Sequence, residues 1–301
     1  MSNIRAFGKI IEEICNEQNI KINKMSDDWI IELNKNGITK YILGYKFDLN
    51  SSCTSEICND KYALFSILEN SAIPVIKHDI LFGNNEKKLL TMAEQLDYNF
   101  VLKPNNGTCG NNIFHITCKN EVIDTYRKIS RLGNICVCPF YNIKNEFRII
   151  YLNGKAEHIY KKVKPTIVGN GKSTIKELLL RFNSEYYKDE KKFINKKYNI
   201  DYIPKDGEII EYEWRFNLSK GATISEAKDE EKKELFKLAL LAAEKINLKF
   251  GSIDIIKTID NQYKIIEINS GVMMENLINL ENEGYEIAKN IYKKAIELMF
   301  A

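Results

Sequence analysis

The chain has 301 residues, 44% of them hydrophobic, enough to fill one large core or two to three smaller ones. Its 44 Lys and Arg against 41 Asp and Glu leave a net charge of +3 with both signs spread throughout, which excludes a whole-chain attraction to nucleic acid or to an anionic membrane. Nowhere do about 18 apolar residues run together, and the N-terminal MSNIRAFGKIIEEICNEQN carries charges inside its apolar pattern, so neither a membrane span nor a signal peptide is expected and a cytoplasmic location is.

In chain order, apolar periodicity predicts a helix over about residues 3–18, then short alternating runs (WIIEL, KYILGY) and a polar break, DLNSSCTSEICND. A helix over about 60–70 is closed by AIPV, whose proline stops propagation. Next come a helix near 86–97, strands at 99–103 and 112–117, a helix at 120–131 and a strand at 134–138. The strands EFRIIYL and KAEHIYKKV flank Asn153-Gly154, a dipeptide suited to a type I′ hairpin. Thr174 and Glu177 form a capping box at the start of another helix, and the charged YYKDEKKFINKKY reads as a solvated face. A long amphipathic helix (about 229–247), two strands and a final helix (about 282–299) follow. The pattern is α+β, with helices covering a sheet.

Seven cysteines, an odd number in a chain this large, are expected to be reduced thiols. Cys136 and Cys138 form C-x-C; alternation along a strand argues against a shared metal, and both are expected as buried small residues. The histidines His78, His115 and His158 are scattered singly, which disfavours a histidine metal site or a catalytic triad. VGNGKST imitates the end of a phosphate-binding P-loop, but Thr166 stands where the leading glycine is required, so a glycine turn and helix cap are expected instead.

The strongest chemical signal is FGSIDIIKTIDNQYKIIEINSG. If Asp260-Asn261 is a two-residue turn, Ile259 pairs with Gln262, and equal steps outward set Asp254 opposite Glu267. Asn269, two residues beyond Glu267, shares its face. Opposed carboxylates repel unless something positive sits between them, and oxygen ligands of this kind suit Mg²⁺ with phosphate oxygens completing its shell. A polyphosphate ligand would explain the loop of VLKPNNGTCGNNIF, where Lys103 ends a strand and exposed amides follow, with Lys61 as a second cation at a helix start.

In order, Asp60-Lys61, SAIPV, VLKPNNGTCG, ICVCPF and the set Asp254, Glu267, Asn269 resemble the ATP-grasp superfamily. EFRIIYLNGKAEHIYKKVKPTIVGNGKSTIKELL and EYEWRFNLSKGATI are similar to the ATP-grasp portion of cyanophycin synthetases and bifunctional glutathione synthetases. The resemblance implies an α+β (α/β) ATP-grasp fold: a small N-terminal α/β domain (1–59), a central lid subdomain (60–140) and a C-terminal subdomain with the metal site (141–301), the last two clamping ATP. It implies a carboxylate–amine ligase using ATP and Mg²⁺ that makes an amide through an acyl phosphate, on an amino acid or small peptide. Two alternatives stand beside it: modification of a ribosomal or carrier-linked peptide, for which the lysine-rich 188–197 segment would dock an acidic leader, and a nucleotide-binding module without turnover.

Residue by residue, the resemblance implies that Lys61 and Lys103 hold ATP phosphates under the amides of Gly107, Thr108, Cys109 and Gly110. Cys138, Pro139 and Phe140 would meet adenine through their backbone, and Glu146 the ribose. Arg148, Lys162 and Arg215 would stabilise phosphoryl oxygens or the acyl phosphate; Asp254, Glu267 and Asn269 would hold Mg²⁺; Asn217, Ser219, Ser270 and Gly271 would face the substrate. Amino-acid or small-peptide partners are expected, with no nucleic acid and no membrane, and a homodimer is the family expectation.

Overall fold

The computed structural model describes residues 5–107, 110–182, 199–280 and 283–301. Contacts divide the chain into two units, Met1–Tyr160 with Ala227–Ala301, and Lys161–Glu226. The second unit is therefore an insertion in the first, and the sequence boundaries at 59/60 and 140/141 both fall inside the first.

Helix α1 (Ala6–Glu17) is followed by an antiparallel sheet of β1 (Lys21–Met25), β2 (Ile30–Lys35), β3 (Ile38–Leu43) and β4 (Lys46–Phe47) in sequence order. The expected polar break is instead helix α2 (Ser52–Asn59). Ser51 Oγ accepts from Thr54 N at 3.0 Å, so the serine that suggests a loop is the N-cap, and Thr54 and Cys58 are buried. Helix α3 (Lys61–Glu69) starts at once, capped by Asp60 Oδ1 on Ala63 N at 2.9 Å. This cap leaves Lys61 in the first helical position, at the edge of the apolar stripe Leu64, Phe65 and Leu68.

Strand β5 (Asp79–Leu81), helix α4 (Glu86–Gln95), β6 (Phe100–Pro104), β7 (Phe114–Ile116), α5 (Lys119–Ile129) and β8 (Ile135–Pro139) build a second antiparallel sheet, in the order β5-β8-β6-β7. One face of it packs Leu81, Phe100, Leu102 and Val137 against Leu89, Val122 and Tyr126 of the two helices. The other face carries Ile80, Cys136 and Lys103 in one cross-strand row and Cys138 with Val101 in the next.

Strands β9 (Ile143–Leu152) and β10 (Lys155–Val163) form the expected hairpin: Asn153 and Gly154 both take positive φ, 44° and 87°, as a type I′ turn requires. In the second unit, β11 (Thr166–Val168), α6 (Ile175–Phe182), β12 (Ile209–Glu211) and β13 (Thr223–Glu226) follow. There β11 pairs with β12, and Ile167, Ile175, Leu179, Ile210 and Tyr212 make a small core. The P-loop imitation is a turn, with Asn170 Oδ1 accepting from Lys172 N and Ser173 N, and the Thr174/Glu177 capping box forms in both directions. The YYKDEKKFINKKY segment lies outside the described residues.

Helix α7 (Asp229–Lys245), β14 (Phe250–Thr258), β15 (Tyr263–Asn269), α8 (Glu275–Leu280) and α9 (Gly284–Met299) complete the first unit. Its main sheet runs β10-β9-β14-β15. Phe147, Ile149, Ile253, Ile255, Ile265 and Ile268 pack against Leu235, Ala239 and Ala242 of α7 and Phe65 of α3, so β14 is buried as its apolar run requires. Phe7, Phe47, Phe250 and Tyr292 join the N- and C-terminal elements, Phe47 and Tyr292 stacking at 5.5 Å.

Gly251 marks a close approach of two strands' backbones. A Cβ there would lie 2.7 Å from Asn269 O and 2.7 Å from Leu248 Cδ2. Gly251→Ala is expected to destabilise the protein by about 1–3 kcal/mol, the usual cost of overpacking, read as a lower urea midpoint at unchanged slope.

Candidate active site

The β14–β15 register sets Asp254 directly opposite Glu267, with Ser252 opposite Asn269. The route differs from equal stepping around a two-residue turn. Thr258 N donates to Gln262 O at 2.9 Å, leaving Ile259, Asp260 and Asn261 as the loop, with Asn261 at φ 63°. A bulge between Asp254 and Ile255 then inserts Ile266 as an extra residue on β15. The two one-residue departures cancel at the carboxylates, which is why the expected pairing is right although the expected turn is not.

On the other side of β14, Asp254 pairs with Arg148 of β9, so Arg148, Asp254 and Glu267 stand in one row across three strands. The guanidinium grips the carboxylate at two points: Nε to Oδ1 and Nη2 to Oδ2, each 2.7 Å. Burial works most strongly against the Arg148 charge, yet Asp254, joined by Tyr160 and Glu267, outweighs it and holds Arg148 protonated well above its ordinary value. Ser252, Asp254 and Ser270 are buried, and Ser270 Oγ has no hydrogen-bond partner among the described residues. Among those residues no three His, Cys, Asp or Glu side chains gather in one place. The donor set is two opposed carboxylates and the Asn269 amide on one face, all hard oxygen donors, which fits Mg²⁺ and does not fit a thiophilic metal.

The cations lie on the neighbouring elements of the same unit. Lys61 and Lys103 are each 8% exposed. Burial holds the Lys61 pKa below its ordinary value, with Glu267 raising it and Lys103 lowering it further, so Lys61 is within electrostatic reach of both. Lys61 Nζ donates to the carbonyls of Asn105 and Gly107, while Asn105 Oδ1 accepts from Tyr62 N at 2.9 Å and from Cys136 Sγ at 3.1 Å. The loop after Lys103 is thus tied at its base to the first turn of α3. Gly110 takes φ 66°, and Thr108 and Cys109 lie outside the described residues. Beside α3 the His78 ring stacks on Phe65, with centroids 4.0 Å apart.

Cys136 and Cys138 correct the expectation drawn from strand alternation: positions two apart share a face, and these do. Both are buried, and burial pushes the Cys136 thiol up to about 12 and raises that of Cys138 as well, as suits small buried side chains. Pro139 pairs with Phe100, and Phe140 N donates to Asn99 O at 3.2 Å, so that N–H is already committed to the sheet; the Phe140 ring stacks on His115. Glu146 is buried on β9 opposite Ile256. Gly271 backs onto Tyr45 and Lys46.

In the second unit, Lys162 is buried on β10. Arg215 is held by Glu213, Nη2 to Oε2 at 2.6 Å and Nε to Oε1 at 3.0 Å, with both side chains largely buried. Asn217 Oδ1 accepts from Ser219 N and from its Oγ, capping a short helical turn over residues 218–220.

Residues 205–295 match the model of the RimK-like ATP-grasp domain family. Over 221 residues the chain is 26% identical to a cyanophycin synthetase of Trichormus variabilis, covering 67% of this chain and 24% of that protein. Two solved structures superpose on it. A bifunctional glutathione synthetase from Pasteurella multocida gives a TM-score of 0.59 at 16% identity, covering 97% of this chain and 44% of the other. A Chryseobacterium gregarium RiPP-associated ATP-grasp ligase, in complex with ADP and a leader and core peptide, gives 0.54 at 12% identity, covering 99% and 94%. The fold is that of the ATP-grasp ligases. The chain spans about a quarter of the length of the cyanophycin synthetase it matches. No helix among the described residues is long and apolar enough to cross a membrane.

Within this ATP-grasp unit the site includes His78, Asn105 and Ser252, which the sequence pattern does not single out. Asn105 hides in a loop whose composition reads only as small and polar; His78 sits just before a three-residue strand too short to show a period. Arg148→Ala is expected to cost about 3–5 kcal/mol in chemical denaturation, since it strands the buried Asp254 charge. His78 supplies a pH prediction. Burial first, then the charge of Lys103, holds its folded pKa well below 6.5, so the unfolded chain binds the proton that the folded chain refuses. That contribution to stability is complete above pH 6.5 and is lost as pH falls. His78→Phe should therefore show a smaller drop in Tm between neutral and mildly acidic pH than the unaltered protein.

Proposed function

We propose that the chain is an ATP-dependent carboxylate–amine ligase acting on an amino acid or a small peptide, in the cytoplasm. The observation that carries this reading is the cross-strand row Arg148, Asp254 and Glu267, with Lys61 within electrostatic reach of Glu267. Opposed carboxylates beside buried lysines suit a metal-bound polyphosphate and have little use in a merely structural sheet. In the reaction a substrate carboxylate oxygen takes the γ-phosphoryl group of ATP, releasing ADP. An amine then attacks the acyl carbon, loses a proton and expels phosphate, leaving an amide.

Asp254, Glu267 and Asn269 would hold Mg²⁺, which when bound supplies charge neutralisation at the phosphate oxygens. Lys61 and Lys103 bring further positive charge to the phosphates, and the amides from Gly107 to Gly110 keep the phosphate-binding role the resemblance implies for them. The backbone of Cys138 to Phe140 and the Glu146 carboxylate serve the nucleoside. Arg148 answers the charge on the transferred phosphoryl group, and Lys162 and Arg215 keep the role the resemblance implies for them. Ser270, Gly271, Asn217 and Ser219 are assigned to the substrate. No protein nucleophile is required, since positioning and charge stabilisation carry most of phosphoryl transfer.

A second reading replaces the free substrate with a ribosomal peptide. The mutual coverage with the Chryseobacterium gregarium ligase, whose complex holds a leader and core peptide, favours it over a carrier-linked substrate.

Screening amino-acid pairs and short peptides with Mg-ATP should reveal phosphate release and a product lighter than its summed substrates by one water. Asp254→Asn and Glu267→Gln are each expected to lower turnover about 100-fold or more, since each removes part of the several kcal/mol of charge stabilisation a catalytic metal provides. Unchanged turnover in Asp254→Asn would refute the assignment.

A further inference from the structure

His78 is 9% exposed, and its Nδ1 lies 3.1 Å from the Ile76 carbonyl oxygen. A carbonyl only accepts, so Nδ1 carries the hydrogen and Nε2 presents a lone pair. That Nε2 is buried and receives no hydrogen bond from any described residue. Lys61 is near enough to influence the imidazole, but its ammonium donates to the carbonyls of Asn105 and Gly107. A buried acceptor without a donor is costly to leave so, which asks what brings the missing N–H or O–H.

The surroundings narrow the answer. Asp79 of β5 pairs with Val137 of β8, and the same antiparallel register continued by one residue sets His78 beside Cys138. His78 then shares a sheet face with Cys136, Cys138 and Val101, while its ring lies nearly parallel to that of Phe65, at 13°. Thiols, an aliphatic side chain and an aromatic ring, with Lys103 in the next row, make a wall suited to a flat heterocycle whose phosphates lie at the lysines. A neutral acceptor set in such a wall reads a donor on the edge of a ring.

We propose that His78 Nε2 accepts a hydrogen from the exocyclic 6-amino group of the ATP base and so selects adenine over a 6-oxopurine. The inference rests on the nucleotide site of the ligase reading and adds to it a specificity-determining residue. A 6-oxopurine would set a carbonyl oxygen against the imidazole lone pair. The imidazole cannot escape by protonation to become a donor, because burial and then Lys103 hold its pKa well below the ordinary value.

The test is nucleotide affinity of the full chain, by calorimetry, for ATP, for purine riboside triphosphate, which lacks the 6-amino group, and for 3′-deoxy-ATP. The unaltered protein should prefer ATP over purine riboside triphosphate by about tenfold, the worth of one buried hydrogen bond. His78→Phe keeps the ring on Phe65 and removes the acceptor; it should lose that preference by weakening ATP alone. His78→Gln, which restores an acceptor oxygen, should recover part of it. Equal weakening of both nucleotides in His78→Phe, or no preference in the unaltered protein, overturns the inference and leaves the ligase reading standing. So does equal binding of 3′-deoxy-ATP by His78→Phe and by the unaltered protein, which would assign the acceptor to the sugar. Failure of the unaltered protein to bind any of the three overturns both.

Discussion

The buried pair between Arg148 and Asp254 is the constraint around which the first unit is arranged. Two charges on adjacent central strands can be taken out of water only if each satisfies the other, and the two-point grip at 2.7 Å does so. That requirement locks β9 against β14 in a single register. A slip by one residue would turn Arg148 into the isoleucine core and leave Asp254 without a counter-charge. On its other edge β14 sets Asp254 across from Glu267, so the residue that Arg148 holds is also one half of the acidic pair.

Around this row, burial and charge are balanced in opposite senses on two surfaces. The β14–β15 side carries carboxylates and an amide; the face of the β5–β8 sheet carries Lys103, with Lys61 at the cap of α3. Lys61, Lys103 and Asp254 are buried, and Lys61 is within electrostatic reach of Glu267. A site of this kind favours a ligand carrying both signs of complementarity, such as a metal bound to a polyphosphate, over a simple anion or a simple cation. The loop base is tied by Lys61 and Asn105 to the first turn of α3, which roots the segment as far as Gly107.

Much of this was legible in the residues, for reasons that differ from place to place. The Asn153-Gly154 hairpin and the Thr174/Glu177 box were readable because a local backbone demand selects those residue types. The Asp254–Glu267 pairing was readable for a weaker reason, since the wider loop and the bulge at Ile266 are both invisible in the pattern and happen to cancel. Helix α2 was missed because serine, threonine and asparagine favour loops and helix caps alike, and only the burial of Thr54 and Cys58 decides between them. The Arg148–Asp254 contact could not be read at all. It joins residues separated in sequence by a whole inserted unit, and no local rule reports which strand will lie beside β14.

That insertion has a consequence for how the protein is made. Residues 161–226 form a unit of their own between the two strands, and β9 must wait for β14, which follows the entire insertion. During synthesis Arg148 and the apolar flank of β9 are therefore presented without their partner, and the β9–β14 pairing is a late, long-range closure. Growth conditions that slow translation between the two strands would lengthen the interval in which an unpaired, isoleucine-rich strand edge is open to other chains.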